Sequence, residues 1–312
     1  MDSDHQPVTL PGGGELLHRV GDTLSSLESI PGELRRGEPL AGHTTLQVGG
    51  PADGFFLPAS VEALVGAVSL CRARDVPYFI LGKGSNVLFS DAGYRGLIIS
   101  TERLGKCTLV DDHLRAECGL PLSQLISIAN AHGNTSLDFL AGIPGSVGGA
   151  LAMNAGTGER SIGDVVHEVT VLSARGALES LDRAACAFSY RTSSLLELRL
   201  PILSATLLLD ERRFDRKKLL ARRAATQPVS EASAGCAFKN PIGRSAGDLI
   251  ERAGLKGFQV GMARVSDIHA NFIINVGGAS SNEIYRIIDI VRQKVYKSFH
   301  ILLDLEIEVV DG

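Results

Sequence analysis

The feature that most restricts this chain is the gathering of its 35 glycines into a few dense blocks. Residues 141–158, AGIPGSVGGALAMNAGTG, hold too many glycines for a stable helix or strand throughout, yet too few charges for a solvated linker. A buried loop that lets backbone approach a ligand closely satisfies both conditions. A second block, Gly82-Lys83-Gly84-Ser85-Asn86, follows the apolar run Val76–Leu81. It resembles the start of a dinucleotide fingerprint, but Val87 stands where the third glycine would be. Closely spaced glycines leave successive N–H groups free to hold a pyrophosphate, and an ordinary tight turn fits the same residues as well. Two such loops in one chain favour a large diphosphate cofactor.

Around these loops the chain alternates helical and strand patterns. Val61, Leu64, Val65, Val68 and Cys71 recur at helical spacing, and Val76–Leu81 and Leu97–Ser100 read as strands. A helix is expected over 121–132, with Pro121 in its first turn and Gly133 past its end. Val165–Leu172 and Ile202–Leu209 read as strands, and the charged stretch 211–223 marks a boundary. Beyond it, Ser245-x-x-Asp248 resembles a capping pair with Gly254 as the stop, and Ser280-x-x-Glu283 is a capping box ahead of Ile284, Ile287, Ile288, Val291 and Val295. The tail alternates, with Ile301, Leu303, Leu305, Ile307 and Val309 on one side and Asp304, Glu306 and Glu308 on the other, which predicts a terminal strand with an acidic face. The resulting division is an N-terminal segment 1–42 with a short helix before Pro31 and no assigned chemistry, a unit over 43–210, a smaller domain over 222–298, and a C-terminal strand over 299–312.

A net charge of −4 without a concentrated basic block argues against nucleic acid as partner. No apolar run reaches the roughly 20 residues of a membrane span, and the start MDSDHQPVTL lacks a signal peptide's basic-then-apolar order, so a cytoplasmic protein is expected. Five cysteines without CxxC spacing suit reduced thiols, with neither disulfides nor a metal site.

Several residues admit two readings on their own. Arg191, in Ser189-Tyr190-Arg191-Thr192-Ser193, is either an ion-paired surface residue or a ligand contact. Cys236, beside Gly235, Lys239 and Asn240, is either a packed thiol or a proton donor. Glu306 reads as part of a solvated edge, and Lys239, Arg244 and Lys256 as exposed cations that could also neutralise a phosphate. His269 before an apolar strand suits the core as well as a site.

Taken together, TTLQVGGPAD (44–53), LGKGSNVLFSDAGYRGLII (81–99), AGIPGSVGGALAMNAG (141–156), SYRTS (189–193), GCAFKNP (235–241), AGDLIERAGLKG (246–257) and HANFIIN (269–275) resemble, in order, the UDP-N-acetylenolpyruvoylglucosamine reductase family. The resemblance runs from about His43 to Glu306 and implies an α+β fold: a two-subdomain FAD-binding unit of the vanillyl-alcohol-oxidase type followed by a smaller α+β substrate domain. The compact passage from KNP to HANFIIN resembles the shorter class of the family, which lacks an extra substrate-covering loop. The implied activity is reduction of the enol ether of UDP-N-acetylglucosamine enolpyruvate to UDP-N-acetylmuramate in peptidoglycan precursor synthesis, with tightly bound FAD, NADPH as co-substrate, and a monomer as the working unit. An FAD oxidoreductase of the same fold acting on another substrate, or a flavin or UDP-sugar binding protein without turnover, would share many of these blocks.

The implied cofactor contacts are Gly82, Lys83, Gly84, Ser85, Asn86, Gly142, Ile143, Pro144, Gly145, Ser146, Gly148, Gly149, Asn154, Ala155 and Gly156. Tyr190, Lys239, Asn240, Lys256, His269 and Asn271 are the implied substrate contacts. Arg191 would stabilise charge developing at the substrate's carboxyl region, assisted by Glu306, with Glu308 as fallback. Cys236 occupies the position of the family's proton-donating serine. A thiol is a stronger acid than a hydroxyl, so the role stays chemically sensible. Two further departures are Lys83, where the family usually has glycine, and the ending VVDG, which shifts a glycine usually found nearer Glu306.

Overall fold

The computed structural model describes residues 13–311 and is built around three sheets. The first has the strand order Gly32–Pro39, Pro51–Pro58, Tyr94–Ser100, Tyr78–Leu81. Phe55, Phe56 and Leu57 are all buried although neighbouring side chains point to opposite faces, so Pro51–Pro58 is covered on both sides, as a parallel strand needs to be. The helix Val61–Ala73 makes the crossover, capped by the Ser60 side chain, which accepts from the Ala63 N–H. Its buried face is Ala63, Leu64, Ala67, Val68 and Cys71, slightly rotated from the predicted valine-rich stripe. Val61 and Val65 pack only partly against the core, and the alanines let the helix sit close to the sheet.

The helix Gly13–Leu27 is longer than the short one expected, and its Val20, Leu24 and Leu27 belong to the main core. The strand Gly32–Pro39 pairs along the whole of Pro51–Pro58. A division at residue 43 therefore cuts through a sheet.

The second sheet is antiparallel, ordered Leu178–Asp182, Val166–Leu172, Ile202–Leu208, His113–Glu117, Cys107–Val110. It shares the main core with the helices Leu122–Ala131 and Val147–Ala152. The second of these helices corrects the reading of 141–158 as loop throughout. Gly148 and Gly149 weaken it by roughly 1 kcal/mol each relative to alanine, but a Cβ on Gly148 would meet Cys118 Cβ at 3.0 Å, so close packing demands the small residue. Pro121 stands at the N-cap, one position before the predicted first turn.

The third sheet, Ala232–Cys236, Phe272–Asn275, Ala263–Val265, Gln259–Val260, carries the helices Ala246–Arg252 and Ser281–Phe299. The capping box is formed as predicted. Ser280 Oγ accepts from the Glu283 N–H at 3.2 Å, Glu283 accepts from the Ser280 N–H at 3.0 Å, and Ile284, Ile287, Ile288, Val291 and Val295 are buried. Between the first sheet and this domain the seam is packed: Leu46, Val48 and Leu88 enter the second core, Thr45 Oγ1 donates to Ser233 O at 2.7 Å, and Asn275 Nδ2 donates to Leu46 O at 3.0 Å.

The tail departs from the expected strand. Only Glu308–Val310 forms one, parallel to Val87–Phe89, while Leu305 makes a single bridge to Phe238. Residues 304 and 306 instead satisfy their backbone on the 237–239 segment, through Lys239 N–H to Asp304 O and Glu306 N–H to Ala237 O. Of the acidic face only Asp304 stays exposed, for Glu306 and Glu308 both turn onto the wall of a cavity. No described helix is long and apolar enough to cross a membrane.

Candidate active site

A cavity of about 990 Å³ lies where the three sheets meet. The 82–86 loop forms one wall as the chain leaves the strand Tyr78–Leu81. Gly84 holds φ +59° there, and a Cβ would lie 2.1 Å from His43 O, so only glycine fits against the 43–45 segment. Ser85 Oγ donates to Pro144 O at 2.8 Å, which ties this loop to the second glycine block.

Gly145 and Gly149 line the same cavity for a different reason. A Cβ on either would meet no protein atom closer than 3.6 Å, so packing does not demand glycine. Their bare backbone is a cradle that a side chain would fill.

Three chemically capable side chains share the cavity with these loops. Arg191 comes from a tight turn closed by Ser189 N–H to Thr192 O and Thr192 N–H to Ser189 O, and it holds φ +55°. A left-handed arginine costs about 1 kcal/mol and persists because the turn is anchored: Asn154 Nδ2 donates to Ser189 O and Ser193 Oγ to Ala152 O, both at 2.8 Å. Cys236 ends the strand Ala232–Cys236 just after a bulge in its pairing with Phe272–Asn275. Gly235 at φ +78° forms that bulge and re-aims the thiol. Asn271 then locks Phe238, two residues on, accepting from Phe238 N–H at 3.0 Å and donating to Phe238 O at 2.8 Å.

Glu306 is held by the cofactor-type loop itself. Asn86 Nδ2 donates to Glu306 O at 3.0 Å, and Asn86 O accepts from the Glu308 N–H at 2.9 Å. The Glu306 carboxylate is 12% exposed and lies 2.8 Å from Arg191 Nε, an ion-pair distance without a linear N–H alignment. Burial raises the Glu306 pKa, opposed by Arg191 and Lys239. Burial, and then the Glu306 charge, push the Cys236 thiol up to about 12, against the opposing pull of Arg191. The thiol therefore keeps its proton at neutral pH.

The cavity wall brings together Arg191, Cys236, Glu306 and every expected cofactor residue except Asn154. The Asn154 amide is bonded to Ser189 O and to the Gly163 N–H. None of the six expected substrate residues lines the cavity. Tyr190 is 53% exposed, with its hydroxyl accepting from the Asn240 N–H at 3.4 Å. Asn240 Oδ1 accepts from the Ala246 N–H, and Lys256 is paired with Glu251 at 3.1 Å. His269 Nδ1 accepts from the Asn271 N–H, and the Asn271 amide is engaged with Phe238. Lys239 is close enough to Glu306 to be felt electrostatically.

Arg199 and Arg223 line the cavity although neither was singled out in sequence. No local pattern marks Arg223: that Leu219, Arg223 and Gln227 are the less exposed positions of a charged stretch, at i, i+4 and i+8, emerges only in the fold.

Two family profiles match this chain: the FAD binding domain over residues 52–182 and the C-terminal domain of UDP-N-acetylenolpyruvoylglucosamine reductase over 227–310. UDP-N-acetylenolpyruvoylglucosamine reductase of Clostridium novyi (strain NT) is 39% identical over 296 residues, 93% of this chain and 96% of the relative. That of Bacillus subtilis (strain 168) is 37% identical over 290 residues, 90% and 95% of the two chains. The crystal structure of UDP-N-acetylenolpyruvylglucosamine reductase from Thermus caldophilus is similar with a TM-score of 0.74 at 35% identity, covering 89% of this chain and 99% of that one.

Proposed function

The chain belongs to the UDP-N-acetylenolpyruvoylglucosamine reductase family, and from that premise we propose that Arg191, Cys236 and Glu306 carry an FAD-dependent reduction of UDP-N-acetylglucosamine enolpyruvate to UDP-N-acetylmuramate. The observation that carries this assignment is that one cavity wall contains all three side chains and both glycine-rich loops. When bound, FAD supplies the two-electron link between NADPH and the enolpyruvyl group. Residues 82–86, 142–146, Gly148, Gly149, Ala155 and Gly156 would hold it, and the open faces of Gly145 and Gly149 suit a ligand pressed against backbone.

The protein's own part is charge and proton management. The Arg191 guanidinium meets the enolpyruvyl carboxylate and stabilises the negative charge that builds as the double bond is reduced. Glu306, 2.8 Å from its Nε, fixes Arg191 from behind. Cys236 gives its proton to the second vinyl carbon: the S–H bond breaks, a C–H bond forms, and the thiolate recovers a proton from solvent. Its raised pKa makes it a full-time donor. All of these groups come from one chain, which supports a monomer as the working unit, and a nucleotide substrate with NADPH supports a cytoplasmic reaction.

The test is spectroscopic. Purified protein should show flavin absorbance and oxidise NADPH only when the enolpyruvyl nucleotide is present, and NADPH consumption indifferent to the nucleotide would sink the reading. Gly145→Val should melt at the temperature of flavin-free wild type but purify with less than about a tenth of the flavin, because an added isopropyl group fills the cradle and clashes with whatever lies against it. Stoichiometric flavin in that variant would remove Gly145 from the cofactor wall.

A further inference from the structure

Arg223 has no explanation in the fold. It is half-buried, it lines the cavity, and among the described residues no carboxylate comes within ion-pair distance of it. Among the described residues its side-chain hydrogen-bond partner is Gln227 Oε1, 3.4 Å from NH1, and the Cys236 thiol is near enough to be felt electrostatically. The side chain lies across the open face of Gly142, where a Cβ would meet its Cδ at 2.7 Å. Glycine at 142 therefore makes room for this arginine. Arg191 is near enough to repel it, and of the glutamates on the cavity wall Glu306 is engaged with Arg191, Glu231 lies 3.9 Å from Arg264, and Glu308 feels the charge of Arg199.

A guanidinium removed from water without a counter-ion is unfavourable, and two of them facing one cavity are more so. The arrangement becomes favourable when an anion enters, since guanidinium bound to carboxylate or phosphate is among the stronger polar pairings. We propose that Arg223 is a ligand-binding residue whose guanidinium, supplementing Arg191, holds a carboxylate or phosphate oxygen of a nucleotide bound in this cavity. The shared chemistry is an anionic oxygen group, contributed by the cofactor's pyrophosphate or by the enolpyruvyl nucleotide. The identity of those two ligands rests on the function proposed above; the anion site itself does not.

The experiment compares Arg223→Gln, Arg223→Lys and, as an exposed neighbour, Arg222→Gln. The flavin-free protein is titrated with FAD by fluorescence quenching, and the flavin-loaded protein is titrated with the enolpyruvyl nucleotide by calorimetry. Arg223→Gln should weaken one of the two by roughly 10- to 100-fold, the range for losing a charge-assisted hydrogen bond at a buried site. Arg223→Lys should recover part of that loss, and Arg222→Gln should lose nothing. Weakened FAD binding assigns the anion to the cofactor, and weakened nucleotide binding alone assigns it to the substrate. Binding of both ligands within about twofold of wild type in Arg223→Gln would overturn the proposal. So would equal defects in the glutamine and lysine variants, which would trace the effect to packing on Gly142. Both measurements read binding, so failure of the reductase reading is seen separately, as wild-type protein that binds ligand without oxidising NADPH.

Discussion

Cys236→Ala should slow reduction of the enolpyruvyl nucleotide by roughly 10²- to 10⁴-fold, the usual worth of a positioned proton donor, and leave flavin reduction by NADPH within a few-fold of wild type. The second half of that expectation makes the first specific, because flavin reduction needs no proton delivered to a vinyl carbon. The side chain is held where delivery is possible by the Gly235 bulge and the Asn271 clamp on Phe238, neither of which depends on the sulfur. Alanine should therefore leave the backbone in place. Cys236→Ser should retain activity within about tenfold, since a hydroxyl can donate from the same position. Anaerobic mixing of pre-reduced protein with the nucleotide separates the two half-reactions. An alanine variant that reoxidises at the wild-type rate would remove the proton-donor assignment. With the thiol pushed up to about 12, no alkaline limb near pH 8.5 should belong to Cys236, and the pH profiles of wild type and the serine variant should coincide up to about pH 10.

Which parts of this site were legible in sequence follows from how local each signal is. The capping box at Ser280 and Glu283 and the two glycine blocks are written in residues a few positions apart, so they could be read directly. The strand Gly32–Pro39 is half charged and gains its identity from pairing with Pro51–Pro58, a partner that no local pattern announces. The tail shows the same effect in reverse. Its alternation is real, but the backbone of residues 304 and 306 bonds to 237–239, so most of the expected ladder is replaced by domain-to-domain bonds. The inward turn of Glu306 is fixed by Asn86, 220 positions away. Arg191, Cys236 and Glu306 came from motif resemblance, and the burial that raises two of their pKa values arises only where the sheets meet. Asn154, Asn240 and Asn271 belong to the same motifs and each bonds to backbone, a contact that a motif does not announce.

Glu306→Gln separates function from stability most sharply. Burial outweighs Arg191 and Lys239, so the folded-state pKa of Glu306 stands above that of an unfolded glutamate. A carboxyl raised in this way favours folding most below the unfolded value of about 4.3, and that contribution is lost as pH rises through the folded pKa. Above that folded-state pKa the ionised side chain is therefore a net burden on the fold. Glutamine has nearly the same shape without the charge, so Glu306→Gln should melt at a temperature no lower than wild type at pH 8, and any advantage should shrink toward pH 4. The same change leaves Arg191 without its carboxylate 2.8 Å away and should cost roughly 10²- to 10³-fold in reduction of the enolpyruvyl nucleotide. Thermal melts at pH 8 and pH 4 beside single-turnover rates test both halves. A variant that keeps wild-type turnover would remove Glu306 from the chemistry. One that melts well below wild type at pH 8 would show that Glu306 is retained as a structural counter-ion, its attraction to Arg191 exceeding the penalty of burying it.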